Sequence, residues 1–150
     1  MEMTKISILK AVILRMHLAF KDLTKLAVQA IMTDLKDWYD KLPQEMALAT
    51  LAQSDLPHSV RRSIYYVHLL YLGAIMLLYR RVASQYNRSV AEGSDADGQQ
   101  KFFEQLMLDH AEQGVLAAKT SARILGLLLR QVGCFKRCWV VMYVISQRLT

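Results

Sequence analysis

The chain has 150 residues and a formal charge of +6, the length of one domain able to bury a core of its own. It is 53% hydrophobic and 21% charged, which excludes a disordered tail. Only two prolines and six glycines interrupt it, and with Leu, Ala, Met and Lys abundant the composition predicts a single all-α domain over 1–150.

The first predicted element comes from a stripe that begins at Leu9 and continues through Ile13, Met16, Phe20, Leu23, Ala27 and Ala30. The stripe then slips by one residue to Ile31, Leu35, Trp38 and Leu42. Steps of three and four place these side chains on one helix face, so a long helix is expected over about 5–42. Thr33 and Asp34 offer a site where it could break and be recapped. Pro43 ends it, because the residue before proline avoids the α region. These N-terminal residues do not have the form of a signal peptide, since Lys5, Lys10 and Arg15 leave no apolar run longer than Ala11–Leu14. Their basic, amphipathic character fits a transit peptide weakly, and Asp22 and the continuity of the stripe to Trp38 argue against one.

Met46–Ala52 is expected to form a short helix, followed by a turn at Ser54-Asp55-Leu56-Pro57. Ser54 or Asp55 would cap the next helix, which begins near His58 and runs to about Arg88. Within this central buried helix, about 63–88, the stretch Ser63–Arg81 is apolar on nearly every side, with His68 as the polar interruption. A helix of that kind belongs at the centre of a helical domain or in a membrane. From Ile64 to Tyr79 the apolar run covers about 24 Å at about 1.5 Å per residue, short of a hydrocarbon core of about 30 Å. Arginine pairs at both ends also leave no inside–outside bias, so the sequence favours a buried central helix. Gly73 in its middle costs about 1 kcal/mol against alanine, and close approach of another helix is the expected compensation.

Residues 91–98, Ala-Glu-Gly-Ser-Asp-Ala-Asp-Gly, read as a mobile acidic loop. A helix over about 99–132 follows, with a stripe of Leu108, Ala111, Val115, Ala118, Ala122, Leu125, Leu129 and Val132 expected to face its neighbour. Gly133 would cap it, and a short apolar helix, Phe135–Leu149, would close the chain.

Charge is unevenly spread. Between Arg61 and Val90 there are five arginines and no acid, the segment 91–115 is acidic, and 116–150 is basic. The cations lie singly or in pairs beside apolar runs, where helix ends place them, so no direct nucleic acid contact is expected. Cys134 and Cys138 suit a reducing compartment. Their C-x3-C spacing supplies two ligands where structural zinc takes four, and two buried small hydrophobes is the better reading. His17, His58, His68 and His110 have no metal-ligand spacing, and His68 reads as a core histidine bonded to a carbonyl or a tyrosine. Asp34, Asp37 and Asp40 form a charged face rather than an acid–base pair. There is no nucleophile elbow, phosphate-cradling glycine loop or H-E-x-x-H. No catalytic, cofactor-binding or metal-ligating residue is therefore assigned, and an enzyme is disfavoured.

Four segments carry a family resemblance. Leu35-Lys36-Asp37-Trp38-Tyr39-Asp40-Lys41-Leu42-Pro43 resembles an L-x-x-W-x-x-x-L-P segment. Val67-His68-Leu69-Leu70-Tyr71-Leu72-Gly73-Ala74-Ile75-Met76-Leu77-Leu78-Tyr79-Arg80 is similar to a helix of the form L-H-L-L-Y-x-x-A-I-L-L-L-H-R-P. Ala117-Ala118, with Ala122, Ile124, Leu127 and Leu128, resembles A-A-x-x-I-x-x-L-L, and the following Cys138-Trp139-Val140-Val141-Met142-Tyr143 matches a short apolar helix. In this order and spacing they resemble the fungal-specific transcription factor domain, the middle homology region of zinc-cluster (Zn2Cys6) regulators, over its C-terminal half. Tyr79-Arg80-Arg81-Val82 lacks that family's histidine and helix-ending proline, so this helix is expected to run on. The six-cysteine cluster is absent here, so zinc would enter only through an upstream cluster in a longer product.

The resemblance implies a nuclear regulatory module that does not read DNA. It would act through contacts with protein partners or with the missing N-terminal half of the same regulatory domain, or by sensing a small effector. A small membrane-associated helical protein and a stand-alone adaptor for an amphipathic partner helix are the alternatives. If part of the domain is missing, apolar surface is left open, and the isolated chain is expected to self-associate.

Overall fold

The computed structural model describes residues 2–18, 24–53, 55–92 and 99–131. The fold is all-α, with no strand among the described residues. In chain order it contains α1 (Glu2–Leu18), α2 (Lys25–Asp40), two short 3-10 turns (Gln44–Met46 and Leu48–Ala52), α3 (His58–Glu92) and α4 (Gln99–Gln131). The expected C-terminal helix and most of the acidic loop lie outside the described residues, although Ala91 and Glu92 belong to α3.

The N-terminal stripe belongs to two helices rather than one. Thr24 starts α2 from an extended conformation, with φ −85° and ψ 152°. Its Oγ1 accepts a hydrogen bond from the Ala27 amide at 3.2 Å, and its carbonyl accepts from Val28 at 3.1 Å. Such a cap stabilises a helix by about 1 kcal/mol. The expected recapping site at Thr33–Asp34 instead lies inside α2, both residues exposed. Because the helix restarts at Thr24, the buried face of α2 is set from Val28 onward: Val28, Ile31, Leu35 and Trp38. Ala30, expected on the first stripe, is exposed. At the other end the Lys41 amide donates to Asp37 and that of Leu42 to Tyr39, and Pro43 prevents another turn.

Residues 44–53 form a strap of 3-10 turns, where a short helix is expected over Met46–Ala52. Thr50 Oγ1 donates to the Gln44 carbonyl at 2.9 Å. The Arg61 guanidinium donates to the carbonyls of Leu51 and Gln53 at 3.1 and 3.0 Å, tying the strap to the first turn of α3. That helix begins at His58, and the Pro57 carbonyl accepts from the Arg61 amide. Pro57 therefore occupies the cap position expected for Ser54 or Asp55; Ser54 lies outside the described residues.

α3 is 35 residues long, about 52 Å at the usual rise, and α4 at 33 residues nearly matches it. The two run antiparallel: Tyr65 and Leu69 pack with Ile124 and Leu128, while Val82 packs with Phe103 and Leu106. On its other side α3 holds Val67, Leu70, Ala74, Leu77 and Leu78 against Ile13 of α1 and Ile31, Leu35 and Trp38 of α2. Neighbours on both sides account for a helix that is apolar nearly all round. It also runs on past Arg80, as the missing proline predicts.

Two glycines mark close approaches. A Cβ on Gly73 would lie 2.9 Å from the buried Lys10 Nζ, so α1 is the neighbour that accounts for this glycine. A Cβ on Gly114 would lie 3.2 Å from the Tyr79 ring, so that ring rests against the backbone of α4.

The buried face of α4 differs from expectation. Phe103, Leu106, Gly114, Ala117, Ser121, Ile124 and Leu128 are buried. Leu108, Val115 and Leu129, placed on the packed stripe by their hydrophobicity, are exposed, and Ala111, Ala118, Ala122 and Leu125 lie at its border. The packed stripe is offset by one residue because α3 presents large side chains, and small residues opposite them let the helix axes close up. Val132 lies outside the described residues.

Candidate functional site

Two of the resemblance segments, 35–43 and 67–80, meet at the junction of α2 and α3. The Trp38 and Tyr71 rings stack with centroids 5.7 Å apart, Tyr39 stacks on Tyr71 at 4.5 Å, and His68 stands edge-on to Tyr39 at 5.8 Å. His68 is buried and its Nε2–H donates to the Met46 carbonyl at 2.8 Å, so it reaches the strap. Burial lowers its pKa, and the hydrogen bond opposes that shift with a smaller effect. Tyr71 is pushed up, first by burial and then by Tyr39 and Asp40. Leu35, Leu69, Leu70, Ala74 and Ala117 are buried, Leu42 and Ala118 half-buried, and Pro43 and Arg80 exposed. These positions thus fall into an aromatic junction, the core and the surface, and Trp139 lies outside the described residues.

Among the described residues, no cluster of acid, base and nucleophile assembles around them. Asp34, Asp37 and Asp40 are all exposed, and Asp37 pairs with Lys41 at 3.2 Å on the surface, an interaction that contributes little. No cluster of three His, Cys, Asp or Glu able to hold a metal occurs among the described residues. Cys134 and Cys138 lie outside them.

Two features remain that individual motifs did not reveal. One is a cavity of about 370 Å³ between α2, α3 and α4, at the lower end of the range for small-molecule sites. Val28, Met32, Leu35, Ile75, Leu78, Val82 and Leu106 form its apolar wall, and Thr33, Lys36, Tyr71, Tyr79 and Gln113 add polar atoms. Residues from three helices compose it, so no contiguous stretch of sequence announces it.

The other is the outer face of α4. Leu108, Val115, Leu116 and Leu129 are 67, 53, 63 and 52% exposed, and a shallow depression lies among Ala111, Glu112, Val115, Leu116 and Lys119. Leu108, Val115 and Leu116 lie within about two helical turns of one another and form an apolar patch, whereas Leu129 stands about three and a half turns further on, beyond Lys119 and Arg123.

A helix spanning His58–Ala91 is also long and apolar enough to cross a membrane by length and composition, with a best window of mean hydropathy 1.2 that is 56% buried. The core helix of a soluble domain meets the same test.

No protein-family model matches this chain. No curated protein matches it. No solved structure matches it.

Proposed function

We propose that this chain is a non-enzymatic helical regulatory module that acts by binding a partner protein through the outer face of α4. The observation that carries this reading is the group Leu108, Val115 and Leu116, left exposed on a helix whose opposite face packs against α3. An amphipathic partner helix laying its apolar side along that group would bury it.

In its more specific form, the reading is the regulatory part of a fungal zinc-cluster-type transcription regulator, or a truncated relative, working in the nucleus without reading DNA. The packing of Trp38 and Tyr39 on Tyr71 supports this form, because it joins two of the segments that resemble that family. The partner is then another protein or the N-terminal half of the same regulatory domain, and zinc belongs only to an upstream cluster in a longer product.

The apolar window of α3 favours a second reading, a small membrane-associated helical protein. Detergent-free extraction separates the two: a membrane protein stays in the pellet.

The deciding experiment fuses the chain to a DNA-reading domain in a fungal reporter strain. Reporter output should change with the fusion, and Leu116→Glu should restore the baseline at equal protein level. An unchanged reporter would count against the transcriptional form. A row that captures no partner in cross-linking, and whose loss by Leu116→Glu alters nothing, would remove the protein-contact reading.

A further inference from the structure

The geometry points to a binding site for a small amphipathic carboxylic acid in the cavity between α2, α3 and α4, with its hydrocarbon inside and its carboxylate at Lys36. The volume of about 370 Å³ suits a single small molecule. Most of the wall is aliphatic: Val28, Met32, Leu78, Val82 and Leu106 line it. That surface favours a hydrocarbon chain or ring over a sugar or nucleotide, whose hydroxyls would find too few partners.

The polar groups decide the other end of the ligand. Lys36 is the one charged side chain among the lining residues, and it is exposed. Among the described residues it has no ion pair and no hydrogen bond, in contrast to Lys41, which holds Asp37. A cation left open beside an apolar hollow selects an anion attached to an apolar body. Thr33 and Gln113 also line the cavity and supply hydroxyl and amide donors for carboxylate oxygens. Tyr71 and Tyr79 complete the wall, and neither hydroxyl has a hydrogen-bond partner among the described residues.

The site does not depend on a partner at α4. The cavity and the exposed row occupy different faces of that helix, since Leu106 lines the one and Leu108, Val115 and Leu116 belong to the other. Ligand binding and partner binding can therefore be tested apart.

The test uses the whole chain, with decanoate and decanol as probes kept below their aggregation concentrations, followed by calorimetry. Decanoate should bind saturably at one site, and about fivefold more tightly than decanol, the upper end of what a solvent-facing ion pair supplies. Shortening decanoate to octanoate should weaken binding by about fourfold per methylene removed. Lys36→Gln should abolish the preference for decanoate while leaving decanol binding unchanged. Thr33→Trp, an exposed position on the rim, should block both probes without altering the helical circular dichroism. Non-saturating uptake, equal affinity for acid and alcohol, or unchanged binding in Thr33→Trp would each overturn the proposal. A preference for decanoate that survives Lys36→Gln would overturn the assignment of the anion to that lysine.

Discussion

The Tyr65 hydroxyl donates to Gln131 Oε1 at 2.7 Å, linking the first turns of α3 to the last turn of α4 across 66 positions of sequence. Tyr65 is buried while Gln131 is exposed, so removing one or the other has different consequences. Tyr65→Phe deletes the bond and lets water take the glutamine, costing about 1 kcal/mol. Gln131→Leu leaves a buried hydroxyl without its acceptor and should cost more, about 1–3 kcal/mol. Urea denaturation of both variants gives the comparison; equal and negligible losses would mean that the bond does not hold the helix ends together.

The register of α4 can be tested with neighbouring leucines. Leu128 is fully buried and Leu129 is exposed. Leu128→Ala should cost about 2–5 kcal/mol, and Leu129→Ala should stay within about 0.5 kcal/mol of the parent. The opposite order would restore the stripe that periodicity alone favours.

At Gly114 the limiting contact is the Tyr79 ring, 3.2 Å from where a Cβ would stand. Gly114→Leu forces the ring and α4 apart and should cost about 1–3 kcal/mol by overpacking, despite the better helix propensity of leucine. Combining it with Tyr79→Ala should relieve most of the loss, and thermal melts of the single and double variants test this.

His68 makes stability depend on acidity. Its folded pKa lies below the ordinary 6.5, chiefly because the site is buried, so the unfolded chain takes up the proton more readily. The favourable contribution is complete above that ordinary value and is lost as the pH falls through the lowered folded one. His68→Gln, which keeps a donor for the Met46 carbonyl, should remove this slope. Urea midpoints at about pH 7 and about pH 5 should diverge between the two proteins; parallel losses would assign the acid sensitivity elsewhere.

The exposed row on α4 predicts behaviour in solution. The isolated chain should self-associate, and Leu116→Glu should return it to a monomer on sizing without changing its melting temperature by more than a degree or so, as for ordinary surface substitutions. A monodisperse wild-type monomer would contradict this.

Much of the architecture was legible in the residues themselves. Ile31, Leu35 and Trp38 announce the buried face of α2, and the unbroken apolar character of Ser63–Arg81 announces a helix packed on more than one side. The break at Thr24 was obscured by apolar residues at Phe20 and Leu23 that extend the stripe across it. On α4, hydrophobicity selected Leu108, Val115 and Leu129, whereas the close approach of Tyr79 requires a small residue at Gly114, and Ala117 and Ser121 are buried on the same face. A serine and a glycine carry no apolar signal, so periodicity weighted by hydrophobicity turned the helix toward its outer face. Of the alanine-pair segment, Ala117, Ile124 and Leu128 lie on the packed side, Ala118 and Ala122 at its border, and Leu127 outside it. The cavity left no local trace, because Thr33, Lys36, Tyr79 and Gln113 meet only after three helices have assembled.

The three apolar clusters are strung along α3 rather than gathered about one point. Such a rod can loosen at one end while the other stays closed, so its amides need not share one protection factor. The half held by Tyr65, Arg61 and the strap should exchange deuterium slowly, and the turns around Val82 and Phe103 faster. A molecule entering the hollow beside Val82 would then slow exchange most at that end of the rod.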